Sequence, residues 1–159
     1  MWAVETGVVS GTTETTFSPK EPCTAAQAVT FLWRAAGSPE TSSTESPFTD
    51  LAPDAYYYKA VLWAAERDIT MGTTESTFSP DKTVSRSQFI TLLYRTFGGA
   101  ERVEKQPFED VPADAYYRDA VAWAYSKGVT RGVTDTAFQP LRSCDRGQIV
   151  TFLYRYFKR

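Results

Sequence analysis

The chain has 159 residues, 42% hydrophobic, 14% aromatic and 23% charged, a composition that excludes a disordered chain. Its 17 basic and 19 acidic residues are well mixed and leave a net charge of −2, so no basic tract argues for nucleic acid and any anionic ligand must be met by local arginines. Histidine is absent, which excludes histidine-based metal sites, triads and proton shuttles, and no apolar run approaches the length of a membrane span.

From its first residues the chain sits inside a repeating pattern. Trp2 aligns with Trp63 and Trp123, so the counterpart of Phe48 to Leu62 is missing from the first copy. Its first helix is expected to be a stump in an excised piece, with the gap left by truncation or covered by another chain or a rearranged element. After the stump comes a loop, Val9-Ser10-Gly11 to Phe17-Ser18-Pro19, repeated as Thr70-Met71-Gly72 to Phe78-Ser79-Pro80 and as Thr130-Arg131-Gly132 to Phe138-Gln139-Pro140. A glycine at the same place three times implies a backbone conformation or a close approach that a side chain would forbid. The phenylalanine is expected to plug the loop into the core.

Each loop leads into a helix start. Thr24, Ser85 and Asp145 are N-cap residues, and Gln27, Gln88 and Gln148 stand three positions later. That spacing predicts a capping box in each copy, with the cap side chain taking an N3 backbone N–H and the N3 side chain reaching back. The residues that follow are apolar at helical spacing: Ala28, Val29 and Leu32; Phe89, Ile90 and Leu93; Ile149, Val150 and Leu153. Arg34, Arg95 and Arg155 fall near the helix C-termini, where a cation is favourable. Gly37 and Gly98 are expected to stop the first two helices in the left-handed conformation.

Two polar linkers, Gly37 to Pro47 and Gly98 to Pro107, precede the second pattern, which reads Phe48, Asp50, Tyr56-Tyr57, Ala60-Val61, Trp63-Ala64 in one copy and Phe108, Asp110, Tyr116-Tyr117, Ala120-Val121, Trp123-Ala124 in the other. Its second half predicts a short amphipathic helix. The offsets between copies, about 60 residues, mark a repeat architecture: all-α, each unit a helix, a loop and a helix, at residues 1–37, 48–98 and 108–159. Cys23 and Cys144 occupy one repeat position, where Val84 stands in the middle copy. The valine points to a small buried hydrophobe before the cap; a disulfide between equivalent points around a shared axis is the alternative.

These residues resemble the S-layer homology family. The likeness rests on Phe48/Asp50 and Phe108/Asp110, the tyrosine pairs, Trp63 and Trp123, the three Phe-x-Pro loops, and the helix openings Ser85-Arg86-Ser87-Gln88 and Asp145-Arg146-Gly147-Gln148. It implies a pseudo-threefold spindle whose capped helices form a central three-helix bundle, with ligand held in grooves between repeats. It also implies a secreted, non-catalytic module of the bacterial cell surface that binds secondary cell-wall polysaccharide bearing a pyruvylated amino sugar, with no cofactor or metal.

On that resemblance the ligand residues are Arg86, Arg146, Asp50, Asp110, Tyr57, Tyr117, Trp63, Trp123, Gly72 and Gly132. A guanidinium fork holds a carboxylate by two charge-assisted hydrogen bonds. The other reading of Arg86 and Arg146 is a salt bridge to Asp50, Asp110 or another acid. Asp50 and Asp110 read first as turn or cap residues, and the tryptophans as core with an edge that a sugar could meet. Ala25 stands where the other repeats carry arginine, so one groove has lost its main anion contact. A degenerate scaffold that binds another protein is the second functional reading. No carboxylate pair recurs as a single catalytic centre, and no activated nucleophile is visible.

Overall fold

The computed structural model describes residues 2–158, in which six helices account for nearly all regular structure: α1 (Trp2–Glu5), α2 (Ala25–Ala35), α3 (Tyr58–Glu66), α4 (Arg86–Phe97), α5 (Arg118–Ser126) and α6 (Arg146–Phe157). The protein is all-α. The capped helices α2, α4 and α6 start where the caps predict. Thr24 and Ser85 close complete capping boxes with Gln27 and Gln88. Asp145 accepts the Gln148 N–H at 2.7 Å, but the return half of that box is absent because the Gln148 side-chain oxygen is taken by Arg86 at 3.1 Å.

The first turn of a helix leaves backbone N–H groups without intrahelical partners, and here each repeat satisfies those of another. Ala25 N–H donates to the Lys82 carbonyl at 2.8 Å, Arg86 to Arg142 at 2.9 Å and Arg146 to Glu21 at 3.0 Å; Ala26, Ser87 and Gly147 donate likewise to the carbonyls of Pro80, Pro140 and Pro19. One residue before the caps lies a closed ring. Cys23 N–H donates to Cys144 at 2.9 Å, Cys144 to Val84 at 2.9 Å, and Val84 back to Cys23 at 3.0 Å. Nine backbone bonds in three equivalent sets relate the repeats by threefold rotation.

Leu32, Leu93 and Leu153 are fully buried and belong to one contiguous core. Within it α2 packs on α4, the Phe89 and Phe152 rings stack at 6.2 Å between α4 and α6, and Arg146 on α6 lies over Phe31 on α2. The short helices pack outside, each on the capped helix of the preceding repeat: α3 on α2, α5 on α4, and the stump α1 on α6. The last pair joins the two ends of the described chain. Trp2 meets Tyr154 and Phe157 there, and those rings stay 47% and 40% exposed.

The helix stops differ from expectation at one place. Gly37 has φ +90°, as predicted, but Gly98 is right-handed at φ −88° and Gly99 carries the left-handed turn at φ +60°. Helix α4 runs one residue further than the glycine pattern implied, because the Tyr94 carbonyl still accepts the Gly98 N–H.

Candidate functional site

The Phe-x-Pro loops build the site, and their shape follows from the residues that hold them. Asp50 accepts the backbone N–H groups of Phe78 (2.8 Å) and Ser79 (2.7 Å) on its two oxygens, and Asp110 does the same for Phe138 and Gln139. Burial pushes the Asp50 carboxyl up, but the two amide donors outweigh it and hold it below its ordinary value. Phe48 packs on Phe78 and Phe108 on Phe138. At Gly72 (φ +75°) and Gly132 (φ +80°) a Cβ would strike a loop carbonyl and the ring of Phe48 or Phe108, so a close approach explains the recurring glycine.

Arg86 and Arg146 lie at the seams between repeats, 5% and 3% exposed. The Arg86 Nε donates to the Phe138 carbonyl at 2.8 Å, with the guanidinium between the Phe138 and Phe152 rings at 4.7 and 5.4 Å. Arg146 repeats this one repeat on: Nε donates to the Phe17 carbonyl at 3.0 Å, Nη2 to the Ser10 carbonyl at 2.8 Å, and the rings are Phe17 and Phe31. Burial lowers the Arg86 pKa from its ordinary value. The salt bridges to Asp50 or Asp110 are not formed, because those carboxylates are occupied by loop amides and the arginines by carbonyls and aromatic faces.

Ala25 has the corresponding place against Phe78, and the residue equivalent to Phe31 and Phe152 is Leu92. The arginine and one of its two aromatic partners are therefore replaced at this seam, while the loop ring Phe78 is kept, and the Phe78 carbonyl accepts no hydrogen bond among the described residues. A cavity of about 280 Å³ lies here, lined by Ala25, Val29, Phe78, Leu92, Lys82 and Tyr116 together with Thr70, Gly72, Gln88, Thr91 and Arg95. A second cleft of about 440 Å³ occupies the Arg86 seam, where Thr130, Gly132, Gln148, Thr151 and Arg155 hold those last five positions. One set of threonine, glycine, glutamine, threonine and arginine thus recurs at two seams.

Arg95 and Arg155 each donate one Nη1 hydrogen bond to a carbonyl, of Ile69 and Val129. Neither makes an ion pair among the described residues. With Lys82 at the first cleft and Lys20 at the second, cations face the opening in a chain whose net charge is negative. The arrangement suits an anionic group of small size.

Of the residues expected to bind ligand, Gly72, Gly132 and Arg86 line these two clefts, and Arg146 holds the third seam. Asp50 and Asp110 clamp the loops from behind. Trp63 and Trp123 are 1% exposed and lie in the core, and Tyr117 is buried. Tyr57 is half-buried, and its neighbour Tyr56, like Tyr116, is the exposed member of the pair, at 61% and 64%. Sequence reasoning missed Tyr116, Thr91 and Thr151, and read Arg95 and Arg155 only as helix-end cations; their recurrence at one offset from each cap was the signal.

The sequence model of the S-layer homology domain matches three segments, residues 1–29, 47–90 and 107–150. The chain is 34% identical over 150 residues to an endoglucanase of a Bacillus species, an alignment that covers 91% of this chain and 16% of that protein. It is 32% identical over 115 residues to a cell surface protein of Thermoanaerobacter kivui, covering 69% and 15% of the two chains. It is 27% identical over 154 residues to a cellulosome-anchoring protein of Acetivibrio thermocellus, covering 90% and 34%. The chain therefore spans about a sixth to a third of the length of these relatives.

Proposed function

The chain belongs to the S-layer homology domain family, and on that premise we propose that it is a non-catalytic anchoring module that holds an acidic polysaccharide of the bacterial cell wall in the clefts between its repeats. The ligand class is a secondary cell-wall polysaccharide bearing a pyruvylated amino sugar, whose carboxylate meets Arg95 or Arg155 and whose hydroxyls meet Gln88, Thr91 and their counterparts. The recurrence of one polar set at two seams, each with an arginine that no carboxylate among the described residues pairs, carries this reading. Cell-surface placement accords with the relatives named as a cell surface protein and a cellulosome-anchoring protein.

The test is retention on purified cell wall, with its polysaccharide intact or chemically stripped. Arg95→Ala and Arg155→Ala are the informative variants, because both side chains face the openings and neither belongs to the buried clamp. Loss of retention on intact wall, with circular dichroism unchanged, supports the proposal. Equal retention on stripped and intact wall overturns it in favour of a protein-binding surface.

A further inference from the structure

Cys23 and Cys144 lie side by side on the threefold axis, within the ring of backbone bonds that joins the repeats. The Cys23 N–H meets the Cys144 carbonyl at 2.9 Å. One backbone hydrogen bond between the two residues is compatible with the Cα separation of roughly 4.4–6.8 Å that a disulfide requires. Both side chains are 0% exposed, belong to the same core, and are free thiols in this structure. Three equivalent positions converge on the axis, and the third is Val84, so the site holds two thiols and a hydrocarbon.

The choice of repeats for the two thiols has a physical consequence. Covalent chain carries repeat 1 into repeat 2 and repeat 2 into repeat 3, but the third seam, between repeats 3 and 1, is closed only by non-covalent contact. Cysteines 23 and 144 are contributed by the two repeats that meet at that seam.

We propose that Cys23 and Cys144 form a disulfide that staples the first repeat to the third and closes the ring of repeats covalently. The reaction takes both thiols to one S–S bond and passes two electrons and two protons to a disulfide oxidant, oxidised glutathione or a thiol–disulfide oxidoreductase, which leaves as two thiols. Outside the cell such a bond persists. Burial raises both thiols to a pKa of about 12, so thiolate is scarce once the core has closed. The bond therefore forms while the chain folds, before the axis is sealed.

The experiment is to unfold and reduce the purified chain and refold it in a glutathione redox buffer, beside a portion refolded with reductant throughout. The expected product of the first is monomeric, lighter by two hydrogens in intact mass, and yields one proteolytic fragment linking Cys23 to Cys144; its Tm exceeds that of the reduced portion by several degrees. The double variant Cys23→Val with Cys144→Val, which copies Val84, folds and shows the same Tm in both buffers. Two thiols still titratable in denaturant after refolding with oxidised glutathione overturn the proposal, and so does a bond that forms without changing Tm.

Discussion

Arg86 on the first turn of α4 donates its Nε hydrogen to the Phe138 carbonyl of the next repeat while its guanidinium lies on the Phe138 ring, 4.7 Å from the centroid. A single side chain thereby satisfies a buried acceptor and fills the space between two repeats. Removing it strands the carbonyl and forfeits the ring contacts. Charge-assisted hydrogen bonds contribute about 1.5–3 kcal/mol and desolvated cation–π contacts about 2 kcal/mol, so Arg86→Ala is expected to cost about 3 kcal/mol, allowing for non-additivity. Arg86→Lys recovers only part, because an ammonium has no planar fork to serve Phe138 and Gln148 together. Denaturant unfolding measures both.

The Ala25 seam allows the converse experiment. Ala25→Arg alone places a guanidinium opposite Leu92 and offers the Phe78 carbonyl a donor, and Leu92→Phe alone enlarges an apolar contact. Together they recreate the arrangement found at the other two seams. A double-mutant cycle is expected to give a favourable coupling of about 1 kcal/mol, the size of a partly desolvated cation–π contact. Zero coupling would mean that the two substitutions in this seam are unrelated.

The helix starts were legible because a cap and a glutamine three residues on are local chemistry, written within four positions at Thr24, Ser85 and Asp145. The partner of a capped helix was not legible. That Arg86 serves Phe138, 52 residues away, and Arg146 serves Phe17, 129 residues away, follows from the threefold closure, which no local pattern encodes. The tyrosine pairs show the same limit: Tyr116 and Tyr117 are adjacent and chemically identical, and the direction of the chain entering α5 decides which one is buried. Gln148 fits the capping spacing as well as Gln88 does, yet an arginine from another repeat takes its side chain.

Asp50 holds its loop through two backbone N–H groups, and that ties the loop to pH. Its folded pKa lies below the ordinary value of 3.8. The stabilisation is therefore complete above that value and is lost as pH falls through the folded pKa. Asp50→Asn, which keeps one acceptor oxygen and presents an amide to the second N–H, is expected to lower Tm by a few degrees at neutral pH. The gap between variant and wild type should narrow as the buffer is taken below about pH 4, near the carboxylate's unperturbed range. A gap that does not change with pH would show that the carboxylate charge is not what holds Phe78 and Ser79.

Tyr116 and Tyr117 separate ligand contact from packing. Tyr117 is 8% exposed and belongs to the core, so Tyr117→Ala should cost about 3 kcal/mol of stability, in the range for truncating a buried aromatic side chain. Tyr116 is 64% exposed and lines the cleft at Arg95, where its ring offers an apolar face beside the cationic groups. Tyr116→Ala is accordingly expected to leave the unfolding midpoint unchanged and to weaken retention on intact cell wall several-fold, as is expected of Arg95→Ala. Binding isotherms with wall fragments and parallel denaturant melts distinguish the two effects. If Tyr116→Ala binds as the parent does while Arg95→Ala fails, the aromatic face is not part of the contact and the cleft engages its ligand through the cationic wall alone.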